Sequence, residues 1–147
     1  MSSPFGLECG RGVSAGRRVR LVLWPPPYGI ATLSKVPEIK ELAAGGAPFV
    51  VVVTGEGVTL VAPVVVLDAA AADAVRRNDG WRALTLDGEF PLDAVGVVAA
   101  LTRALAEAKV PVMVFSSYAT DHLLVPEQQL GHALAALAQV SLPVSLP

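Results

Sequence analysis

The chain has little sulfur, little charge and few aromatic rings. Cys9 is its single cysteine, so no intrachain disulfide can form, and a reducing compartment is the expected setting. Its two histidines, His122 and His132, lie far from Cys9 in sequence and meet no metal-ligand spacing. Charged residues make up only 16% of the chain and the formal net charge is -2, so no bulk basic field for nucleic acid exists. Arg11, Arg17, Arg18 and Arg20 form one small cluster, read as a solvated arm and strand edge. The apolar runs "PFVVVV" and "VTLVAPVVVL" fall short of the ~20 residues that span a bilayer. The first residues lack a long apolar stretch after a basic start, so a secretory signal is not expected. Neither G-x-G-x-x-G nor a P-loop occurs, which argues against nucleotide enzymes. The expectation is a soluble, cytoplasmic protein with no metal and no cofactor.

Much of what is there is apolar. Hydrophobic residues reach 53%, enough for a core and for an apolar interface as well. The 13 glycines and 12 prolines follow no period and mark turns. Residues 1–16 are Gly- and Ser-rich and read as a flexible leader. "VRLVLW", Val19 to Trp24, alternates as a strand does, and "PPP" stops it because prolines donate no N–H. Leu33 to Ala44 is a helical candidate that Gly45 and Gly46 end. The valine run from Phe49 to Thr54 favours a strand, because branching at Cβ restricts χ1. "GEG" turns the chain, and Val58 to Ala62 returns. After Pro63, Val64 to Leu67 continues as strand, and Asp68 caps an Ala-rich helix over 69–77 that "NDG" ends. "WRALTL", 81–86, is the next strand. The stripe Val95, Val98, Leu101, Leu105 predicts a helix over 95–108 with Asp93 at its N-cap. Strands over 110–115 and 121–125 follow. Pro126 then opens a helix carrying Leu130, Leu134 and Leu137 on one face.

That order describes two successive α+β units, each with helices on one face of an antiparallel sheet. The divisions expected are an N-terminal unit over 17–79, a C-terminal unit over 80–140, and a tail or edge strand over 141–147. Each unit of this kind needs a fourth strand, which the first half could take from 81–86 or by exchange between halves.

The stretch "VFSSYATDHLLVPEQQL", Val114 to Leu130, places two serines, a tyrosine, a threonine, an aspartate and a histidine between two apolar segments. Three readings compete. The first is a hairpin tied by its own hydroxyls. The second is a binding rim: Ser116 to Asp121 face the loop 88–94, with Gly88 and Gly96 allowing close backbone approach. Free N–H groups at the following helix start would seat a carboxylate there. Asp121 would accept an ammonium, and Tyr118 or Phe90 would cover the side chain of a free amino acid. The third is a Ser–His–Asp triad. It fails because adjacent Asp121 and His122 point to opposite faces of a strand, and no G-x-S-x-G elbow is present. No catalytic residue is therefore assigned.

Residues Gly80 to Leu137 resemble the ACT domain, and in particular the tandem-ACT branch of small bacterial proteins, itself similar to the arginine-sensing proteins upstream of the TOR kinase in animals. The residues carrying the resemblance are Trp81, Arg82, Gly88 and Gly96 in one motif. Ser116, Tyr118, Thr120, Asp121, Leu124, Val125, Glu127 and Leu130 carry it in the other. "RLVLWPPP" and "FVVVVTGEGVTLVAP", with Thr54, Glu56, Thr59 and Val61, resemble the N-terminal unit of the same branch. The resemblance implies two ferredoxin-like βαββαβ units. It also implies a non-enzymatic regulatory protein that binds an amino acid between ACT units. The high apolar content and the strand edges that need cover add the expectation of a homodimer. Its ligand walls would be Gly88, Leu92, Val95 and Gly96 on one side, and Ser116, Ser117, Tyr118, Thr120 and Asp121 on the other. Ser117 stands where the family has threonine and Ala119 where it has aspartate. The loss at Ala119 suits a rival reading, a ligand-free interaction module of the same fold. A small enzyme is the third alternative. Arg82 is read as a solvated charge.

Overall fold

The structure, a computed structural model, describes residues 17–18, 20–88, 90 and 92–142. The leader, Cys9 and the final residues 143–147 lie outside the described residues.

The fold is α+β, with an antiparallel sheet and helices on one face. The strands are β1 (Arg17–Arg18), β2 (Leu21–Leu23), β3 (Tyr28–Leu33), β4 (Val50–Thr54), β5 (Gly57–Pro63), β6 (Arg76–Leu86), β7 (Met113–Ser116), β8 (Asp121–Pro126) and β9 (Ser141–Leu142). The helices are α1 (Ile39–Leu42), α2 (Val64–Ala70), α3 (Val97–Glu107) and α4 (Leu130–Leu137). Short 3-10 turns continue α1 and precede α4. The main sheet runs β4-β5-β3-β6-β8-β7, with β2 also paired to β6. A separate two-stranded ladder joins β1 to β9.

β6 organises the sheet. Along one edge it pairs first with β3, from Arg76 to Trp81, and then with β2, from Leu84 to Leu86. Its other edge pairs with β8. The ferredoxin-like order therefore occurs twice. In the first unit the early half of β6 is the fourth strand beside β3. In the second, β2 from the start of the chain fills that place beside the later half of β6. The halves exchange strands, one of the two possibilities left open by the sequence.

The exchange needs a bulge. Tyr28 pairs with Trp81 while Gly29 pairs with Asp79, so Gly80 is the extra residue, at φ +90°. "NDG" thus does not end a helix, as expected from sequence; it bends a continuous strand. The Ala-rich helix expected over 69–77 is replaced by α2, which begins at Val64, where a strand was expected. Pro63 sits at its N-cap, and the Val64 amide donates to the Pro27 carbonyl at 2.9 Å, the last bond in the β3–β5 register before the chain turns. Turning there buries Val66 and Leu67. Likewise the helix expected from Leu33 shrinks to Ile39–Leu42, because Tyr28–Leu33 is the central strand β3.

Two cores lie under the helices. Leu84, Leu86, Leu123 and Val125 pack with Leu101, Leu105 and Leu137 of α3 and α4. Ala31, Leu33, Leu60 and Ala62 pack with Leu42 of α1 and Leu67 of α2. Strand alternation sends the intervening residues to the other face, where Tyr28, Val61, Ala83 and Leu124 form a third cluster. Trp24, Trp81, Met113 and Phe115 pack around it.

Candidate functional site

The expected walls are two connections at one end of the second unit. One follows β6 and leads into α3. The other joins β7 to β8. They touch: the Phe90 amide donates to the Ala119 carbonyl at 2.9 Å, and Thr120 Oγ1 donates to the Leu86 carbonyl at 2.8 Å. Register supports the approach, because Ser116 pairs with Asp121 at the far end of the β7–β8 ladder.

In the first connection, Gly88 has φ +115° and Gly96 φ +91°, conformations that residues with a Cβ rarely adopt. Gly96, not Asp93, is the N-cap of α3, and no side chain caps it. The helix accordingly begins at Val97, two residues later than its apolar stripe predicts. Leu92 and Val95 are 73% and 88% exposed, so neither helps to build the core.

In the second connection most polar groups are committed to one another. Ser116 Oγ donates to Asp121 Oδ1 at 2.5 Å. The Ser117 amide and hydroxyl both donate to the Thr120 carbonyl, at 2.9 and 3.2 Å. Tyr118 projects outward, 84% exposed. Asp121 shares the face of Leu123 and Val125, the helix-bearing face onto which the 88–96 connection leads. His122 takes the opposite face and stacks on Phe115, ring centroids 4.9 Å apart. Its Nδ1 meets Thr85 Oγ1 at 2.8 Å and its Nε2 meets Ser117 Oγ at 3.2 Å. Burial lowers its pKa below the usual histidine value, against the pull of the nearby Asp121 charge. Ser117 and His122 thus make a serine–histidine contact, but threonine, not a carboxylate, orients the ring. Among the described residues no group of three or more His, Cys, Asp or Glu side chains is placed to hold a metal ion.

All nine expected site residues fall on these two connections or their borders. They form an open surface instead of a closed cavity. A hollow of about 640 Å³ lies along α3 and the end of α4, lined by Ala100, Ala104, Glu107 and Val140, and it shares only Gly96 with the expected site. Arg82 departs from its reading as a solvated charge. Its side chain is only 17% exposed. Nη2 donates to the carbonyls of Trp24 and Pro25 at 3.2 and 3.4 Å, and Nη1 lies 3.6 Å from Glu127. It fastens the proline segment between β2 and β3 to the 3-10 turn before α4. The sequence offers His122 only as a triad member facing away from Asp121; its partners Thr85 and Ser117 give it a different role.

Residues 76–139 match the family described as ACT domain. No curated protein sequence matches the chain. A solved structure from Agrobacterium tumefaciens is similar at 28% identity and a TM-score of 0.69, covering 83% of this chain and 88% of that one. A protein of unknown function from Vibrio cholerae, described as a possible transport protein, is 25% identical with a TM-score of 0.63, over 81% of this chain and 87% of its own. The ligand-free regulatory subunit of aspartate kinase from Thermus thermophilus shares the fold at 16% identity, with a TM-score of 0.57 over 86% of this chain and 99% of that subunit.

Proposed function

We propose that this ACT-domain-containing chain is a non-enzymatic sensor that binds a free amino acid between the 88–96 connection and the 116–121 turn. The observation carrying the reading is the pair of bonds from Phe90 to Ala119 and from Thr120 to Leu86, which bring the two connections together. The uncapped start of α3 offers N–H donors to a carboxylate. Asp121, on the same face, offers a carboxylate to an ammonium. Leu92, Val95 and Tyr118 are exposed apolar groups at the rim, suited to cover a ligand side chain.

The reading includes a tandem arrangement, with ACT-like units over 17–79 and 80–140 that trade strands, and a homodimer in the cytoplasm. No helix among the described residues is long and apolar enough to cross a membrane. The second reading, an interaction module without a ligand, draws support from the Ser116–Asp121 bond, which already gives one carboxylate oxygen a partner within the turn. Melting curves with and without each amino acid distinguish the two. Bound ligand raises the midpoint by mass action. A midpoint unmoved by every amino acid at millimolar concentration favours the interaction module.

A further inference from the structure

One polar side chain is buried on the sheet face that carries no helix. His122 is 7% exposed, and it stands in a line of hydrogen bonds that runs from the end of β2 across β6 and β8 to the turn after β7. Trp24 Nε1 meets Thr85 Oγ1 at 2.7 Å, Thr85 Oγ1 meets His122 Nδ1 at 2.8 Å, and His122 Nε2 meets Ser117 Oγ at 3.2 Å. The Ser117 hydroxyl reaches the Thr120 carbonyl.

The direction of every bond follows from what each group can do. An indole N–H only donates, so Thr85 Oγ1 accepts from Trp24. The single hydroxyl proton of Thr85 is then available to His122 Nδ1, which must be the acceptor. At the other end a backbone carbonyl only accepts, so Ser117 spends its proton on Thr120. Ser117 Oγ therefore accepts, and His122 Nε2 carries the hydrogen. The Nδ1–H tautomer would strand the Thr85 proton and draw the Ser117 proton away from Thr120. A doubly protonated ring would strand the Thr85 proton as well. An orphaned donor inside the protein is costly.

We propose that His122 is a positioning residue for the 116–120 turn, acting as the neutral Nε2–H tautomer that holds Ser117 and ties the turn, through Thr85, to Trp24 at the end of the exchanged strand β2. The inference rests on the reading of that turn as a ligand wall, whose state would then be felt by β2, the strand that the first unit lends to the second. The groups facing the ring are Thr85 from β6, Phe115 from β7, Ser117 from the turn and, one bond further, Trp24. All are uncharged, and Asp121 beside it on β8 is the charge that acts on it.

The test uses the whole chain with no ligand added, so its outcome is independent of whether any amino acid binds. Long-range ¹⁵N spectra of the imidazole in the wild-type protein should show Nε2 protonated and Nδ1 bare; an Nδ1–H ring overturns the proposal. His122→Phe keeps an aromatic ring against Phe115 but removes both nitrogens. It should lower the exchange protection of the Ser117 amide at least fivefold. In the wild type that protection should also fall as pH drops through the midpoint of the His122 ring, with the Trp24 indole resonance moving at the same midpoint. Thr85→Val should abolish the Trp24 response and leave the Trp81 indole, bonded to Asn78, unchanged. Equal Ser117 protection in His122→Phe and wild type, or a Trp24 response that survives Thr85→Val, overturns it. Should His122→Phe not fold, the wild-type tautomer decides.

Discussion

Asp121 and His122 are neighbours in sequence and have unrelated work, because a strand sends them to opposite faces. Asp121 is held by Ser116 on the face of the candidate site. If it meets a ligand ammonium there, Asp121→Ala should weaken binding by about 1.5–3 kcal/mol, the scale of a hydrogen bond to a charged group. Titration calorimetry of the variant measures this; unchanged affinity removes Asp121 from the site. His122 makes a separate prediction about stability. Burial depresses its folded pKa, so between the ordinary histidine value of 6.5 and the lower folded value the unfolded chain binds more protons. The contribution is present in full above pH 6.5 and is lost as pH falls below it. Denaturant midpoints should decline from pH 7 towards pH 5 more steeply for wild type than for His122→Phe. Parallel profiles would deny His122 that role. Sequence alone shows the glycines at 88 and 96 and the polar turn, since these are local signals. It hides His122, whose partners Thr85 and Ser117 become neighbours only through the β6–β8 and β7–β8 pairings.

The elements most legible in the sequence are those whose period matches their burial. α3 carries Val97, Leu101 and Leu105 inward, and β7 and β8 fall close to their expected ends. The region from Val64 to Gly80 departs from its sequence pattern because its local signals point the wrong way. A valine run became α2, and an Asn-Asp-Gly sequence became a bulge inside β6. That bulge is braced. Arg77 bonds Asp79 at 2.9 Å and Asp68 of α2 at 2.8 Å, and Trp81 Nε1 bonds Asn78 at 2.9 Å. The Asp79 carboxylate lies over Gly29, where a Cβ would collide with it, with Leu67 Cδ1 at 2.7 Å and with the Asn78 carbonyl at 3.2 Å. Gly29→Ala should therefore cost about 1–3 kcal/mol, as overpacking does. Chemical denaturation of the variant tests it, and a loss below about 0.5 kcal/mol would mean that the bulge yields freely.

At the scale of the whole molecule, one strand belongs to both halves. β6 passes from the first unit to the second, and β2 supplies the edge that the second unit lacks. Sequence could pose that exchange as a possibility but could not choose it, because pairing between residues 21–23 and 84–86 leaves no local signal. Among the described residues, the outer strands β4 and β7 pair along one edge only, and Val52, Val53 and Val114 on them are exposed. Such edges seek cover, and a two-fold partner is the common solution. Light scattering across a dilution series should return about twice the 15.2 kDa chain mass; a monomer at every micromolar concentration would remove the homodimer from the account. The central claim remains the amino-acid site between the two connections, and calorimetry of the wild-type chain against the twenty amino acids tests it most directly. The account predicts saturable binding of at least one of them, weakened in Asp121→Ala. Binding that Asp121→Ala leaves intact would move the site elsewhere, and no heat from any of the twenty at millimolar concentration would contradict the claim.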